Sequence, residues 1–229
     1  MKRIGIIGGI GPESTLDYYR RIIAAFAERP GVRAPDVVIY SASIAELMSL
    51  MEARNWDGLC SWLLTRIEAL RGAGAEFAAI SANTPHVVFD RVRARSPLPL
   101  RSIVEATRGE AQRLGARRLG LLGTRFTMQA DFFQECFHAG GMDVTVPAPD
   151  EQQLIHHRLM SEIELGVVKE STRQELLAIV KRMIDASAID AVILGCTELP
   201  LILDRSEYGI PFLNTTAIHV DDIVRYAIA

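Results

Sequence analysis

One pattern occurs twice in this chain and fixes its plan. A short apolar run, Ala78-Ala79-Ile80, breaks into Ser81-Ala82-Asn83-Thr84-Pro85-His86. A second run, Ala191-Val192-Ile193-Leu194, breaks into Gly195-Cys196-Thr197-Glu198. Each has an earlier companion. Gly8 closes an apolar run 74 residues before Ala82, and Gly123 closes one 73 residues before Cys196. Matching turns at matching spacing predict a duplicated unit. The two copies differ where chemistry would occur, because one carries a thiol and the other a methyl group. Paired thiols can move a proton between the two faces of a carbon, and an alanine cannot join in.

Strand-like and helix-like segments alternate along the whole chain. Strands are expected at 4–7, 37–41, 77–80, 119–122, 143–146, 191–194 and 212–213. Helical spacing of apolar residues predicts helices at 14–28, 57–73, 103–114, 127–139 and 217–228. The stretch 151–187 reads as two helices meeting near Gly166. Alternation of this kind gives an α/β fold with parallel sheets and right-handed crossovers. We therefore expect two pseudo-symmetric parallel-sheet α/β domains, 1–100 with 210–229 and 101–209. Ligands of parallel sheets bind at the carboxyl ends of strands, so residues 82 and 196 are expected on opposite walls of a cleft between the domains.

Composition removes several classes. No apolar stretch reaches membrane-spanning length. The basic start Met1-Lys2-Arg3 is soon interrupted by Gly8-Gly9 and by Glu13, which argues for a strand and turn rather than a signal peptide. Net charge is −3, and the arginines are scattered without the basic stripe that nucleic acid requires. Three widely spaced cysteines, Cys60, Cys136 and Cys196, argue against a disulfide framework and for a reducing, cytoplasmic setting. No Cys or His pair has zinc-like spacing, so no metal site is expected. His156 and His157 are adjacent and point to different faces of a helix.

The motifs point to a small anionic ligand. Gly8-Gly9-Ile10-Gly11-Pro12 follows a strand and is either a tight turn or a backbone-amide cradle, with Gly9 and Ile10 as candidate ligand contacts. It lacks the dinucleotide spacing, and no Walker lysine is present. Thr124 and Thr127 bring hydroxyls to the matching turn of the second half, where Thr127 also suits the N-cap of a helix beginning at Met128. Cys196 sits at a strand-to-helix turn, where a helix N-terminus is expected to lower its pKa. Thr197 and Glu198 stand beside it to orient it or exchange its proton. Cys60 and Cys136 lie within helices and read as packing residues. Asn83 and Thr84 offer polar groups on the other wall. His86 is expected to hold its turn or cap a helix, and His219 to support the site from behind.

Five segments together resemble the aspartate/glutamate racemase family: residues 4–15, Asn83-Thr84-x-His86, 121–128, 195–199 and 216–219. The resemblance implies a two-domain α/β fold with an interdomain cleft. It implies activity without pyridoxal phosphate, metal or nucleotide, and commonly a homodimer. In the family pattern one cysteine precedes Asn-Thr and another lies in Gly-Cys-Thr-Glu, and the pair passes the α-proton from face to face. Asn83, Thr84, Thr124, Thr127 and Thr197 would then hold the amino acid's carboxylate and amine.

The chain departs from that pattern twice. Ala82 replaces the first cysteine, where some similar members carry threonine. An arginine that binds the side-chain carboxylate in aspartate-specific members is missing after the second strand, where Met48 and Met51 stand instead. Lys169 or Arg54 are candidates to take its place. Three functions fit: an amino-acid racemase limited by Ala82, a single-cysteine decarboxylase resembling arylmalonate decarboxylase, and a non-catalytic protein binding an amino acid or dicarboxylate.

Overall fold

The computed structural model describes residues 1–29, 31–33 and 35–229. The chain divides into two compact units, residues 1–106 with 216–229 and residues 107–215. The sequence puts these changeovers at 100/101 and 209/210. The two units change over inside one helix and at the start of another.

In the first unit β1 (Ile4–Gly8) leads through α1 (Pro12–Ala27) to β2 (Val37–Ser41). Next come α2 (Ile44–Glu52), α3 (Trp56–Gly72) and β3 (Phe77–Ile80). A 3-10 turn over Thr84–Val88 runs into α4 (Phe89–Arg93), succeeded by the two-residue β4 (Leu100–Arg101). The sheet is wholly parallel in the order β2-β1-β3-β4, with Ile7 opposite Ile80 and Gly8 opposite Ser41. Its central strands β1 and β3 are buried along their length, as strands covered on both faces must be.

The second unit repeats the plan. α5 (Ile103–Leu114) carries the chain into β5 (Arg118–Leu122), α6 (Arg125–Gln129), α7 (Phe132–His138) and β6 (Asp143–Thr145). Then come α8 (Pro149–Ser161), a 3-10 turn at Ile163–Leu165, α9 (Glu170–Ser187), β7 (Ala191–Leu194), a 3-10 turn at Leu199–Leu201 and β8 (Phe212–Asn214). Its parallel order, β6-β5-β7-β8, is the first sheet's order shifted by four strands. α10 (Thr215–Ile228) then returns the chain to the first unit. There Val220, Ile223, Val224 and Ala227 pack with Ile4, Ile6, Tyr18, Ile22 and Phe77. In the second unit Ile155, Leu159, Leu176, Val180, Val192 and Leu194 form the corresponding core, which extends to Cys196.

Several boundaries correct the sequence reading. α1 starts at Pro12, earlier than the expected residue 14, because proline at the first helical position loses no useful N–H and presets φ. The expected helix 127–139 is two helices, split where Ala130 is extended at φ −99 and ψ 149. α2, unassigned from sequence, is capped by Ser43, whose hydroxyl accepts from the Glu46 amide. The short β4 and the turn-plus-helix after Asn83 are likewise additions to the expected elements.

Candidate functional site in each repeat

The end of β7 is built by a backbone constraint. Gly195 donates to the Leu122 carbonyl at 2.6 Å, and a Cβ there would meet Leu121 Cδ1 at 2.7 Å and the Leu122 carbonyl oxygen at 2.9 Å. Glycine is therefore the residue that lets β7 hug β5 and deliver Cys196 at this point. Cys196 is only 7% exposed. Its Sγ donates to Glu198 Oε2 at 3.0 Å, and Thr197 Oγ1 donates to the same oxygen at 2.8 Å. Thr215 Oγ1 ties the next strand end back to the Leu194 carbonyl at 2.8 Å.

This geometry overturns the expected acidic thiol. Beyond Cys196 the chain makes only a single 3-10 turn beginning with Leu199-Pro200, too short to present a helix dipole. Burial pushes the Cys196 thiol well above the ordinary range, and the carboxylates of Glu198 and Glu164 push it further. The resting sulfur is a protonated donor.

Glu164 is the functional neighbour that the sequence does not reveal. It lies on the 3-10 turn Ile163–Leu165, and its carboxylate, Cys196 Sγ and the Glu198 carboxylate all lie within 4.8 Å of one another. Partial burial, then the charge of Glu198, raises Glu164 to about 7. Among the described residues no other trio of His, Cys or acidic side chains brings its polar atoms so close. A sulfur that donates to Glu198 is placed to act as an acid.

Thr124 caps α6: its Oγ1 accepts from the Thr127 amide at 3.3 Å and lies 3.2 Å from Thr127 Oγ1. The expected cap at Thr127 is thus displaced by one turn, because the helix starts at Arg125 rather than Met128. Thr127 is fully buried, and Thr124 remains partly exposed.

At the matching end of β3, Ser81 donates through its amide to the Ile7 carbonyl at 3.0 Å and through Oγ at 3.1 Å. Ser14 Oγ donates to the Ser81 carbonyl at 2.9 Å. Ala82, 8% exposed, occupies the place of Cys196, with Asn83 buried beside it and Thr84 partly exposed. His86 fixes this turn. Its Nε2 accepts from the Ile103 amide at 3.4 Å, so Nδ1 carries the proton donated to the Ala82 carbonyl at 3.0 Å. The ring stacks on Phe89, and burial lowers its pKa to about 3. His86 is a neutral brace.

The glycine turn after β1 is a locked turn at Gly9. The Gly9 amide donates to Thr15 Oγ1 at 2.8 Å, and Thr15 Oγ1 donates to the Gly11 carbonyl at 3.1 Å. Gly9 has φ 79, and a Cβ there would strike the Ala42 carbonyl oxygen at 2.4 Å. The amide expected to greet an anion is already used, and Ile10 is buried.

The remaining candidates are held elsewhere. His219 is fully buried: Nε2 donates to the Arg101 carbonyl at 3.1 Å, which leaves Nδ1 to accept from Tyr18 Oη at 2.8 Å. Burial lowers it to about 4. Lys169 Nζ pairs with Glu162 at 3.0 Å, in a cluster where Arg158 and Thr172 also hold that carboxylate. These contacts bring Glu162 down to about 2. Met51 is buried, Met48 is half-buried, and Arg54 is exposed in the left-handed region at φ 49. No helix among the described residues is long and apolar enough to cross a membrane.

The chain is similar to known proteins along nearly its whole length. The sequence pattern of the Asp/Glu/Hydantoin racemase family matches residues 7–223. The broad specificity amino-acid racemase RacX of Bacillus subtilis is 26% identical over 221 residues, covering 93% of each chain. Two solved structures cover all of this chain and are themselves fully covered. One is a candidate Asp/Glu racemase from Yersinia pestis, at TM-score 0.91 and 31% identity. The other is an aspartate racemase homologue from Pyrococcus horikoshii OT3, at TM-score 0.85 and 34% identity.

Proposed function

We propose that this chain, which belongs to the Asp/Glu/Hydantoin racemase family, is an amino-acid racemase that works without pyridoxal phosphate and handles the α-proton with a single thiol, Cys196. The observation that carries the reading is the buried Cys196 thiol at the end of β7, donating to a carboxylate at 3.0 Å. In one half-reaction the thiol gives its proton to the α-carbanion and becomes thiolate. In the reverse, thiolate takes the α-proton, the C–H electron pair stays on carbon, and S–H is restored. Proton transfer by a positioned group is worth about 10² to 10⁴-fold. Cys196 serves one face of the α-carbon, and with no thiol at residue 82 water supplies the proton on the other.

Asn83, Thr84, Thr124, Thr127 and Thr197 are assigned to the α-carboxylate and α-amine. Gly9 contributes shape rather than a donated amide, because its N–H is held by Thr15, and Ile10 is kept as a contact. For the side chain, Lys169 is committed to Glu162, and Met48 and Met51 replace an arginine. A neutral side chain therefore suits the protein better than a second carboxylate, in keeping with the breadth named for the Bacillus relative. A homodimer in the cytoplasm, acting on free amino acids, completes the proposal, and sedimentation of the purified protein tests its oligomeric part. Incubation with each amino acid in deuterated water tests the whole. Deuterium at the α-carbon of at least one amino acid is expected, and binding without exchange at any pH would leave a non-catalytic binding protein.

One observation favours a second reading. A thiol held protonated is ready to quench a carbanion made by loss of carbon dioxide, as a single-cysteine decarboxylase would. Release of carbon dioxide from an arylmalonate, without α-exchange of amino acids, would move this reading ahead.

A further inference from the structure

We infer that Glu164 is the proton port of Cys196, passing protons between the enclosed thiol and solvent through Glu198. This deepens the single-thiol reading and rests on Cys196 being its reactive group. A two-thiol site can leave the proton on the second sulfur after each turnover. Here Ala82 offers no such reservoir, so every proton that Cys196 gains or gives must be exchanged with water.

The route is visible in the placement of three side chains. Cys196 and Glu198 are each only 7% exposed, and the thiol already donates to Glu198 Oε2. Glu164 is partly exposed and stands within 4.8 Å of both. Outward transfer runs in balanced steps. The S–H bond breaks and a Glu198 oxygen takes the proton; Glu198 passes it through one bridging water to the Glu164 carboxylate; Glu164 passes it to bulk water. Inward transfer reverses this, and no electrons change owner. A group titrating at about 7 exchanges protons readily in both directions near neutrality.

The surroundings isolate the port from other charges. Glu162, two residues away on the same stretch, is tied up by Arg158 of α8 and by Lys169 and Thr172 of the α9 start. From the β7 end the titratable groups facing Glu164 are Glu198 and Cys196. Thr197 fixes the Glu198 oxygen that accepts from Cys196.

Two readouts on the full-length free protein test this without any substrate. Carbon-13 at the cysteine β-carbons reports thiol ionisation, with Cys196→Ser assigning the signal. Hydrogen exchange of the S–H group reports the route's speed. Glu164→Gln removes a negative neighbour, so the thiol should ionise at lower pH than in the parent. It also removes the port, so S–H exchange should slow by about 10²-fold. A thiol that is more acidic yet exchanges more slowly is not the signature of a merely structural change. Glu164→Asp should restore the faster exchange. Unchanged S–H exchange in Glu164→Gln would overturn the inference. So would a parent protein whose Cys196 signal ignores the titration of Glu164 near pH 7, a measurement that needs no variant. Absence of α-exchange with every amino acid would instead count against the racemase reading alone.

Discussion

The ends of β3 and β7 share a backbone and differ in chemistry. Ser81 and Gly195 both donate to the neighbouring central strand, at 3.0 and 2.6 Å. Each precedes a small buried residue, Ala82 or Cys196. Around Ala82 the polar groups serve the fold: Ser14, Ser81 and His86 all bond to main-chain carbonyls. Around Cys196 they converge on one another, with the thiol and Thr197 sharing Glu198 and with Glu164 close by. The two repeats thus share a scaffold, with polar groups spent on the main chain at one strand end and gathered around a thiol at the other.

The sharpest way to break this contrast is Cys196→Ser. A hydroxyl is far less acidic than a thiol, so α-deuterium exchange should fall by about 10² to 10⁴-fold or more. Exchange that survives would transfer the chemistry away from β7.

The braced side should reveal itself through pH. Folded His219 titrates at about 4 and His86 at about 3, against 6.5 for an ordinary histidine. As pH falls below 6.5 the unfolded chain binds protons at these rings and the folded chain does not, so stability falls with pH. The loss from His219 grows until pH passes its folded value near 4 and reaches about 3 kcal/mol. His86 continues the loss to about pH 3, and Glu162 adds to it as pH drops from 4.5 towards 2. Urea midpoints measured from pH 7 to 4, with ring nitrogen shifts to track each histidine, check this. A His86 or His219 ring signal titrating near 6.5 in the folded protein would contradict the brace.

A smaller effect sharpens the account of the second unit. Thr124→Ala removes the α6 cap and should cost about 1 kcal/mol in urea unfolding, and a cost below a few tenths would return the cap to Thr127. The smallest expected difference is in labelling order. With Cys196 protonated and buried and Cys60 fully enclosed, a bulky alkylating reagent at neutral pH should modify the partly exposed Cys136 first. Rapid labelling of Cys196 would show an acidic thiol after all.

Much of this fold is legible in the sequence because buried parallel strands announce themselves. The apolar runs at 77–80 and 191–194 match β3 and β7 to the residue, and the strand ends lead directly to Ala82 and Cys196. Elements set by local detail are harder to see. The break at Ala130 carries no glycine or proline to mark it, and α2 rests on a cap and on Leu47 and Met51 alone for its buried face. The acidity of Cys196 is easily misjudged because a strand-to-helix turn suggests a dipole, although Pro200 already stands in the single turn beyond it. Glu164 is out of reach. Its partner Cys196 is distant in sequence, and nothing local distinguishes it from Glu162, which the fold gives to a salt-bridge cluster.

The central claim is that the β7 repeat carries the proton chemistry and the β3 repeat does not. Enantiomer-resolved α-deuterium exchange in the parent and in Ala82→Cys tests it most directly. The parent is predicted to exchange one enantiomer strongly over the other, the L form by family resemblance. Ala82→Cys should then exchange both and interconvert them about 10² to 10⁴-fold faster. Equal exchange of both enantiomers by the parent, or no gain in a folded Ala82→Cys protein that still binds the same amino acid, would contradict it.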